Sequence, residues 1–179
     1  VKVKKLVNSQ WQDLSLDETY LNQITQVNGF SPSLALDKKD NLYLTFVQDN
    51  EEKVHVYKFD QKNWQNITPE NQTGQSIEPF ITVNEDGVLY LGRSEFKEDA
   101  VIFKKSEENC IKTGAWRVRV QKYENDSWFD CECNFNHNGY ISKSSGKGDP
   151  ALKTFGNDLF IVFSDEENDY SARVKKYAE

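Results

Sequence analysis

The chain contains 179 residues and has a mass of 20.8 kDa, which is enough for one domain with a sizeable core. Its 22 Lys and Arg residues against 29 Asp and Glu residues give a formal net charge of −7. We therefore expect no nucleic-acid partner. Mean hydropathy is −0.77, and no apolar run approaches the roughly 20 residues of a membrane-spanning helix, so membrane insertion is not expected either. Aromatic residues make up 13%, which excludes a disordered acidic tail.

The chain contains no Met, even at position 1, so we expect it to be processed or taken from a longer protein. No signal-peptide pattern is visible, although a removed signal peptide would leave the same sequence. Localisation stays open, and a secreted or cell-surface location is the preferred expectation.

Three cysteines, Cys110, Cys131 and Cys133, cannot all pair within one chain. A disulfide from Cys110 to either of the others and a set of half-buried thiols remain the alternatives. His55 and His137 are the only histidines, so a zinc site lacks ligands. We expect no metal and no cofactor.

A Pro-led pair of apolar segments occurs three times, over residues 31–46, 78–93 and 149–163. Each copy has a polar residue, a Pro, a short alternating segment, a turn signal and a second apolar segment. The turn signals are Asp40-Asn41, Asp86-Gly87 and Gly156-Asn157. The pattern predicts three β-hairpins. We expect the Pro at the very start of each first strand, where it removes no central ladder bond.

A second motif, Val-x-Val-x-Lys followed by an apolar or aromatic residue, runs through a polar turn to a Trp. Its copies cover residues 1–6, 54–59 and 118–123, with Trp11, Trp64 and Trp128 following them; residues 172–177 form a fourth copy without a Trp. The period of two predicts half-buried strands. One repeat is therefore four short antiparallel strands. We expect the recurrent Trp side chains to fill gaps between neighbouring sheets.

Four-stranded units recurring every 40 to 50 residues or so resemble the blades of a β-propeller. The pattern Pro-x-Leu-x-Leu-Asp, Asp-Asn-Leu-Tyr-Leu-x-Phe and Val-x-Val-x-Lys-Phe to Trp resembles bacterial propellers of the sialidase-like and kelch-like kind. This resemblance covers nearly the whole chain and implies an all-β fold of four-stranded antiparallel blades. It implies no single function, because propellers host binding, scaffolding and catalysis. The sialidase Ser-x-Asp-x-Gly-x-Thr-Trp box, the paired-Gly kelch signature and the WD-type pair are absent.

On this interpretation the chain is one repeat-built domain, 1–179, holding about three blades of an incomplete ring. It divides into a half blade and linker (1–29), a blade (30–77), a blade with insertions near 104–115 and 130–147 (78–147) and a partial blade (148–179). Three explanations stay open for the incomplete ring. The chain is a fragment of a larger propeller, it pairs head to tail with a second chain, or it is a compact non-propeller built from the same units.

Residues after the second strand of each repeat are the candidate site. Arg93 stands where the sister repeats have Phe46 and Phe163. One interpretation is that Arg93 faces a bound ligand that carries a carboxylate or sulfate. The other is that it faces solvent or pairs with a Glu. Trp116 lies in the inserted region and is the best candidate for a solvent-facing contact. Arg117 and Arg119 are expected to face solvent on their strand. The candidate ligand-binding residues are Arg93, Glu95, Trp116, Gln48 and Asp165, and no catalytic residue is nominated.

The preferred function is a non-catalytic binding module that recognises a glycan or a protein through loops on one face of the blades. Two alternatives remain: a sialidase-like glycoside hydrolase whose remaining site lies on missing blades, and a structural subunit of a larger assembly. The sequence does not decide whether the chain is an enzyme, although no catalytic constellation survives inspection.

Overall fold

The computed structural model describes residues 2–14, 28–72, 74–97, 101–102, 111–112, 115–131, 141, 150–165 and 171–177. Within these residues all regular structure is β-strand, which confirms the predicted all-β class. No helix in the described part of the chain is long and apolar enough to cross a membrane.

The described residues form fifteen strands, numbered in chain order. They are β1 Lys4–Val7, β2 Gln10–Asp13, β3 Gly29–Leu36, β4 Leu42–Gln48, β5 Lys53–Phe59, β6 Trp64–Asn66, β7 Ser76–Val83, β8 Leu89–Lys97, β9 Val101–Ile102, β10 Ile111–Lys112, β11 Ala115–Glu124, β12 Ser127–Asp130, β13 Ala151–Phe155, β14 Asp158–Asp165 and β15 Ser171–Tyr177.

These strands pair antiparallel into three larger sheets and two hairpins. Sheet 1 has the order β3-β4-β5-β6, sheet 2 the order β7-β8-β11-β12, and sheet 3 the order β13-β14-β15. The N-terminal hairpin is β1-β2, and the inserted hairpin, β9-β10, lies between β8 and β11 in the chain. The predicted four-stranded antiparallel sheets are therefore present, and the described residues show no closed ring.

The first strands of the three sheets lie next to one another, with β7 in contact with both β3 and β13. The backbone N–H of Ile81 on β7 donates to Ser33 Oγ on β3 at 3.2 Å. On the other side, Thr154 Oγ1 on β13 donates to the carbonyl of Val83 on β7 at 2.8 Å. Sheets 1, 2 and 3 therefore stack in chain order around these inner strands.

Alternation along each strand gives every sheet two faces. We call the face that points toward sheet 3 the forward face and the face that points toward the N-terminal hairpin the rear face. The forward face of sheet 1 and the rear face of sheet 2 bury one apolar cluster, which contains Val54, Val56, Ile81, Leu89 and Leu91. The forward face of sheet 2 and the rear face of sheet 3 bury another, which contains Tyr90, Val118, Val120, Leu152, Leu159, Ile161 and Phe163. A third cluster lies between the rear face of sheet 1 and the hairpin residues Val3 and Leu14.

The predicted position of the Pro residues is wrong for two of the three copies. Sheet strands β3 and β7 begin three residues before Pro32 and Pro79, and each contains a β-bulge at its Pro. The residues before the two prolines, Ser31 and Glu78, both have positive φ (51° and 53°). A bulge leaves a residue outside the ladder, so a Pro without an N–H is tolerated inside the strand. Pro150, by contrast, directly precedes β13, as predicted.

The recurrent Trp residues fill gaps between sheets in two of three cases. Trp64 is buried, and Trp128 packs against the cluster between sheets 1 and 2 while its Nε1 donates to the carbonyl of Ile67. Trp11 is 67% exposed, so the prediction is wrong for this residue. Trp11 lies on the N-terminal hairpin, and no described sheet lies behind that hairpin to cover it.

The contact between sheets 2 and 3 predicts that substitutions at Gly92 and Leu152 have non-additive effects on the free energy of unfolding. A Cβ added at Gly92 would lie only 3.0 Å from Leu152 Cδ1. We expect Gly92→Ala to destabilise the fold by about 1–3 kcal/mol through overpacking and Leu152→Ala to cost about 2–5 kcal/mol through a cavity. The double variant should cost less than the sum, because the smaller side chain makes room for the added methyl. Urea denaturation of the four proteins measures this, and strict additivity would contradict the sheet contact.

Candidate functional site

The strand directions place two kinds of connection on opposite sides of the stack. In each sheet the second strand ends where the first begins, since Gln48 pairs with Gly29 and Glu95 pairs with Ser76. We call this side, where β4, β8 and β14 end, the connection face. The other side, the turn face, carries the tight turns at residues 8–9, 37–41, 60–63, 84–88, 125–126 and 156–157.

Both long inserted segments of sheet 2 leave from the connection face. The first, residues 98–114, joins β8 to β11 and includes the inserted hairpin; residues 49–52 make the equivalent connection in sheet 1. The second joins β12 to β13. Two of its described residues bond to β11, since Cys131 N–H donates to the carbonyl of Val120 and Ile141 N–H donates to that of Val118. The strands that the two predicted insertions connect therefore end and begin at the same face.

Four of the five candidate residues lie near the ends of strands at this face. Gln48 is the last residue of β4 and donates through Nε2 to Glu51 Oε1 at 3.1 Å. Asp165 is the last residue of β14, and its side chain lies outside the described residues. Glu95 lies near the end of β8. Trp116 lies opposite Phe96 in the ladder, with the two ring centroids 5.4 Å apart.

Arg93 is the fifth candidate, and its side chain is fully buried in an ionic network on the rear face of sheet 2. Its Nη2 donates to Glu95 Oε2 at 3.0 Å, and its Nη1 donates to Gln121 Oε1 at 2.6 Å. Burial lowers the pKa of the Arg93 guanidinium, and the adjacent Glu95 carboxylate opposes that shift. Of the two interpretations of Arg93, the structure shows the Glu-paired arrangement.

Arg119 extends the network toward the outer strand of sheet 2. Its Nε and Nη2 make a bidentate pair with the carboxylate of Asp130 at 2.8 and 2.9 Å, and its Nη1 lies 3.4 Å from Glu95 Oε2. Arg119 is only 6% exposed, so the prediction that it faces solvent is wrong. The prediction for Arg117 is also not met, because this residue is half-buried opposite Glu95 in the ladder.

The network also holds the connection between sheets 1 and 2. Arg119 Nη1 donates to the backbone carbonyl of Asn71 at 3.0 Å, and Gln121 Nε2 donates to Asn71 Oδ1 at 3.1 Å. On the sheet 1 side, Gln72 bonds to both backbone groups of Val54, at 3.0 Å to the N–H and 2.7 Å to the carbonyl. Asn71 is thus anchored to sheet 2 and Gln72 to sheet 1, and the buried charges help to hold the connection between the two sheets.

Sheet 1 uses aromatic stacking where sheet 2 uses charge. His55 occupies the repeat position of Arg119, and its ring stacks at 5.9 Å from Phe46, which occupies the position of Arg93. Burial lowers the pKa of His55, and Glu51, with Oε2 3.6 Å from His55 Nε2, opposes this shift. The same repeat positions therefore carry two different chemistries, and the ionic one lies below the long insertions.

Three further members of this network, Asp130, Asn71 and Gln121, were not predicted from the sequence. Asp130 and Gln121 are opposite in the β11–β12 ladder, so the register of that hairpin was the one signal that could have found them. Asn71 lies in an irregular connection that carries no periodic signal.

A polar groove of about 550 Å³ runs between the outer strands of sheets 1 and 2. Its lining residues include Asn66, Glu70, Asn71, Asp126 and Trp128. Tyr123 also lines it, and the Tyr123 hydroxyl donates to Asp126 Oδ1 at 3.1 Å. The groove combines aromatic rings with amide and carboxylate groups.

The described residues contain no group of three or more His, Cys, Asp or Glu side chains placed to hold a metal ion. Cys131 is buried between sheets 2 and 3. Cys110 and Cys133 lie outside the described residues, so the disulfide pairing of the three cysteines stays a prediction.

No family model and no curated protein matches this chain. Solved structures do resemble it. One is a protein of unknown function from Dyadobacter fermentans, with a TM-score of 0.51, 12% identity, and 84% of this chain covering 50% of that one. Another is an α-L-arabinofuranosidase from Fusarium graminearum in complex with an iminosugar inhibitor, with a TM-score of 0.51, 9% identity, and 98% of this chain covering 48% of that one.

The arabinofuranosidase has a propeller-type fold, so the likeness agrees with the predicted propeller resemblance at the level of the fold. This chain spans about half the length of each of these solved chains. At such low identity the likeness concerns the arrangement of the sheets and carries no substrate or active site.

The buried network predicts a contrast between removing one charge and replacing the charges together. Glu95→Ala leaves the Arg93 guanidinium buried without its carboxylate, and we expect it to destabilise the fold by about 3–5 kcal/mol. Arg93→Phe combined with Glu95→Gln installs the residues that sheet 1 has at Phe46 and Gln48. We expect this double variant to cost clearly less than Glu95→Ala, because no unpaired charge is left at position 93.

Chemical denaturation of both variants and of the unaltered chain measures the difference. Both variants remove the Glu95 carboxylate near Arg119 and leave its bidentate pair with Asp130, so the ion pairing of Arg119 changes equally in the two. A double variant that is less stable than Glu95→Ala would contradict the account of the network.

Proposed function

We propose that this chain is a propeller-type repeat module that binds a glycan or a protein without catalysis, and that the ligand contacts the connection face. The observation that carries the proposal is the placement of both insertions. They belong to one sheet only, and they leave from one side of a stack whose opposite side has only tight turns in the described residues. Loops supported by a rigid sheet scaffold are a common way to build a binding surface.

The connection between sheets 1 and 2, which belongs to this face, is held by hydrogen bonds to both sheets. This favours a binding surface as the role of the connection face. Asn71 is fixed to sheet 2 and Gln72 to sheet 1, and Asn71 bonds to Arg119 and Gln121, the partners of the buried Arg93–Glu95 pair. Preorganised surfaces lose less conformational entropy when a ligand binds. We assign Trp116, Gln48 and Asp165 as the candidate ligand contacts. Arg93 and Glu95, which are fully buried, take a supporting role below the surface.

A glycoside hydrolase is the second candidate function, and the propeller-type arabinofuranosidase is what favours it. A hydrolase needs two carboxyl groups placed on either side of the scissile bond. Glu95, the candidate carboxylate of sheet 2, is fully buried and paired with Arg93. The hydrolase alternative therefore requires reactive carboxylates other than Glu95. A purely structural role likewise requires partner chains.

Replacement of the first insertion tests the proposal. Residues 98–114 are exchanged for Asp-Asn-Glu-Glu, the four residues that connect β4 to β5 in sheet 1. The β8 and β11 strands remain, so we expect the fold to persist and ligand binding to be lost. Binding is measured on an array of oligosaccharides that includes arabinan fragments and sialosides, and by pull-down with immobilised full-length chain.

A matched control alters the turn face, with Ser9 replaced by Gly in the β1–β2 turn, where φ is positive, and this variant should bind like the unaltered chain. Hydrolysis of p-nitrophenyl arabinofuranoside or of a sialoside by the unaltered chain would favour the hydrolase. Binding that survives the loop exchange, or no binding in either assay, would contradict the proposed function.

A further inference from the structure

We propose that the forward face of sheet 3 packs into the groove between the N-terminal hairpin and sheet 1 of a second copy of this chain, so that two copies join head to tail through two equal contacts. This inference concerns the ends of the stack and is independent of the proposed ligand site on the connection face. It follows from residues that hold the same repeat position but differ in burial.

The forward face of sheet 3 exposes a repeat position that is buried in the other two sheets. Val56 of sheet 1 and Val120 of sheet 2 occupy the same repeat position and are 0% and 2% exposed. Their counterpart in sheet 3 is Val174, which is 68% exposed. Phe155 on β13, on the same face, is 81% exposed. Sheets 1 and 2 cover the position of Val174 with the next sheet, and within the described residues sheet 3 has no next sheet.

The rear face of sheet 1 shows the complementary difference. Ile81 of sheet 2 and Leu152 of sheet 3 are each 2% exposed because the preceding sheet covers them. The equivalent residue of sheet 1, Leu34, is 52% exposed, and Leu36 beside it on the same face is 60% exposed. Each end of the stack therefore presents one half of a contact that the chain makes twice internally.

A groove of about 780 Å³ lies at the rear end of the stack. Its floor contains Leu34, Leu36, Leu42 and Phe59 of sheet 1, and its side is formed by the N-terminal hairpin. The hairpin has two strands, where sheets 1 and 2 have four. Within the part of the chain that the structure describes, the hairpin layer thus has β1 and β2 in the outer places and no counterparts of the inner strands β3 and β4.

Sheet 3 carries the strands that this layer lacks. Its inner strands, β13 and β14, present Phe155 and Val162 on the forward face, which is the face that would contact Leu34 and Leu36. The hairpin's two strands and the three of sheet 3 make five in the completed layer. Both β1 and β15 carry the third-strand motif, so the proposed contact requires these two strands to lie side by side in the completed layer.

A second copy is the occupant for two reasons. The contact is heterologous, forward face on rear face, and a second copy supplies the same forward face that already packs twice within one chain. In addition, the solved structures of similar fold are about twice as long as the matched region, since this chain covers 48–50% of them. Two copies joined head to tail reach that size and leave neither end face exposed.

Light scattering on the full chain tests the inference. We expect a species of about 42 kDa, twice the 20.8 kDa of one chain, which dissociates on dilution. Phe155→Asp and Leu36→Asp each place a carboxylate at one end of the stack, and both residues are well exposed in a single copy. Each variant should therefore fold normally, as judged by circular dichroism and urea denaturation at high dilution. Each should weaken dimer formation by about 100-fold or more, because an unpaired carboxylate becomes buried in the contact.

Mixing the two variants separates head-to-tail pairing from other arrangements. The Phe155→Asp copy keeps an intact groove and the Leu36→Asp copy keeps an intact sheet 3 face, so the mixture should recover one contact and part of the dimer. Gln65→Asp, at an exposed position of β6 away from both ends, is the control with the same added charge and should dimerise normally.

Three results would overturn the inference. The first is a stable 20.8 kDa monomer of the unaltered chain at all concentrations. The second is a dimer that Phe155→Asp abolishes and Leu36→Asp leaves intact, which would mean that two sheet 3 faces pair with each other. The third is growth into larger species without a limit, which would mean that the contacts do not close. Should Leu36→Asp or Phe155→Asp fail to fold, Leu34→Asp and Val174→Asp are the substitutes at the same two ends.

Discussion

The packing of one sheet face against the next is the constraint on which the rest of this structure depends. Each strand alternates apolar residues to its two faces, so a single sheet leaves both faces unsatisfied and needs a neighbour on each side. Val56 and Val120 are buried by the next sheet, and Ile81 and Leu152 by the preceding one. Burial of such side chains contributes about 1.5–3 kcal/mol each, which makes the stacking of sheets the main source of stability. Tight turns on one side and long connections on the other follow from the antiparallel strand order.

The same constraint explains where charge is tolerated. The inner strands of a sheet face a neighbouring sheet along their whole length. Arg93 and Glu95 lie on such a strand, β8 of sheet 2, and are fully buried. A buried guanidinium is stable there only because Glu95 and Gln121 satisfy its N–H groups. The pair is linked through Gln121 and Arg119 to Asn71, in the connection between sheets 1 and 2, so the network joins the core of the stack to the proposed binding surface.

Most of the fold could be predicted from the sequence, since alternation, turn dipeptides and the recurring Trp specify strands and their order locally. The β-bulges at Pro32 and Pro79 could not, because a bulge depends on the register of a partner strand and not on the Pro itself. The site was predicted less well. Arg93 was recognised as unusual, but its burial and that of Arg119 depend on which sheet faces β8 and β11, and no local pattern records that. The exposure of Trp11 could not be predicted for the same reason, because the repeat places an apolar residue at this position whether or not a sheet covers it.

The stacking of sheets through their inner strands is tested most directly by a cross-link between β7 and β13. Thr82 and Thr154 are 72 positions apart in the chain, yet their Oγ1 atoms lie 3.3 Å from each other. In a chain whose natural cysteines are replaced by Ser, we predict that Thr82→Cys and Thr154→Cys form a disulfide within one chain on mild oxidation, because the Oγ1 contact brings the two side chains together across the sheets. Mapping the linked peptides by mass spectrometry identifies the bond. A folded double variant in which both thiols stay reduced, or link only between chains, would contradict the stacked arrangement.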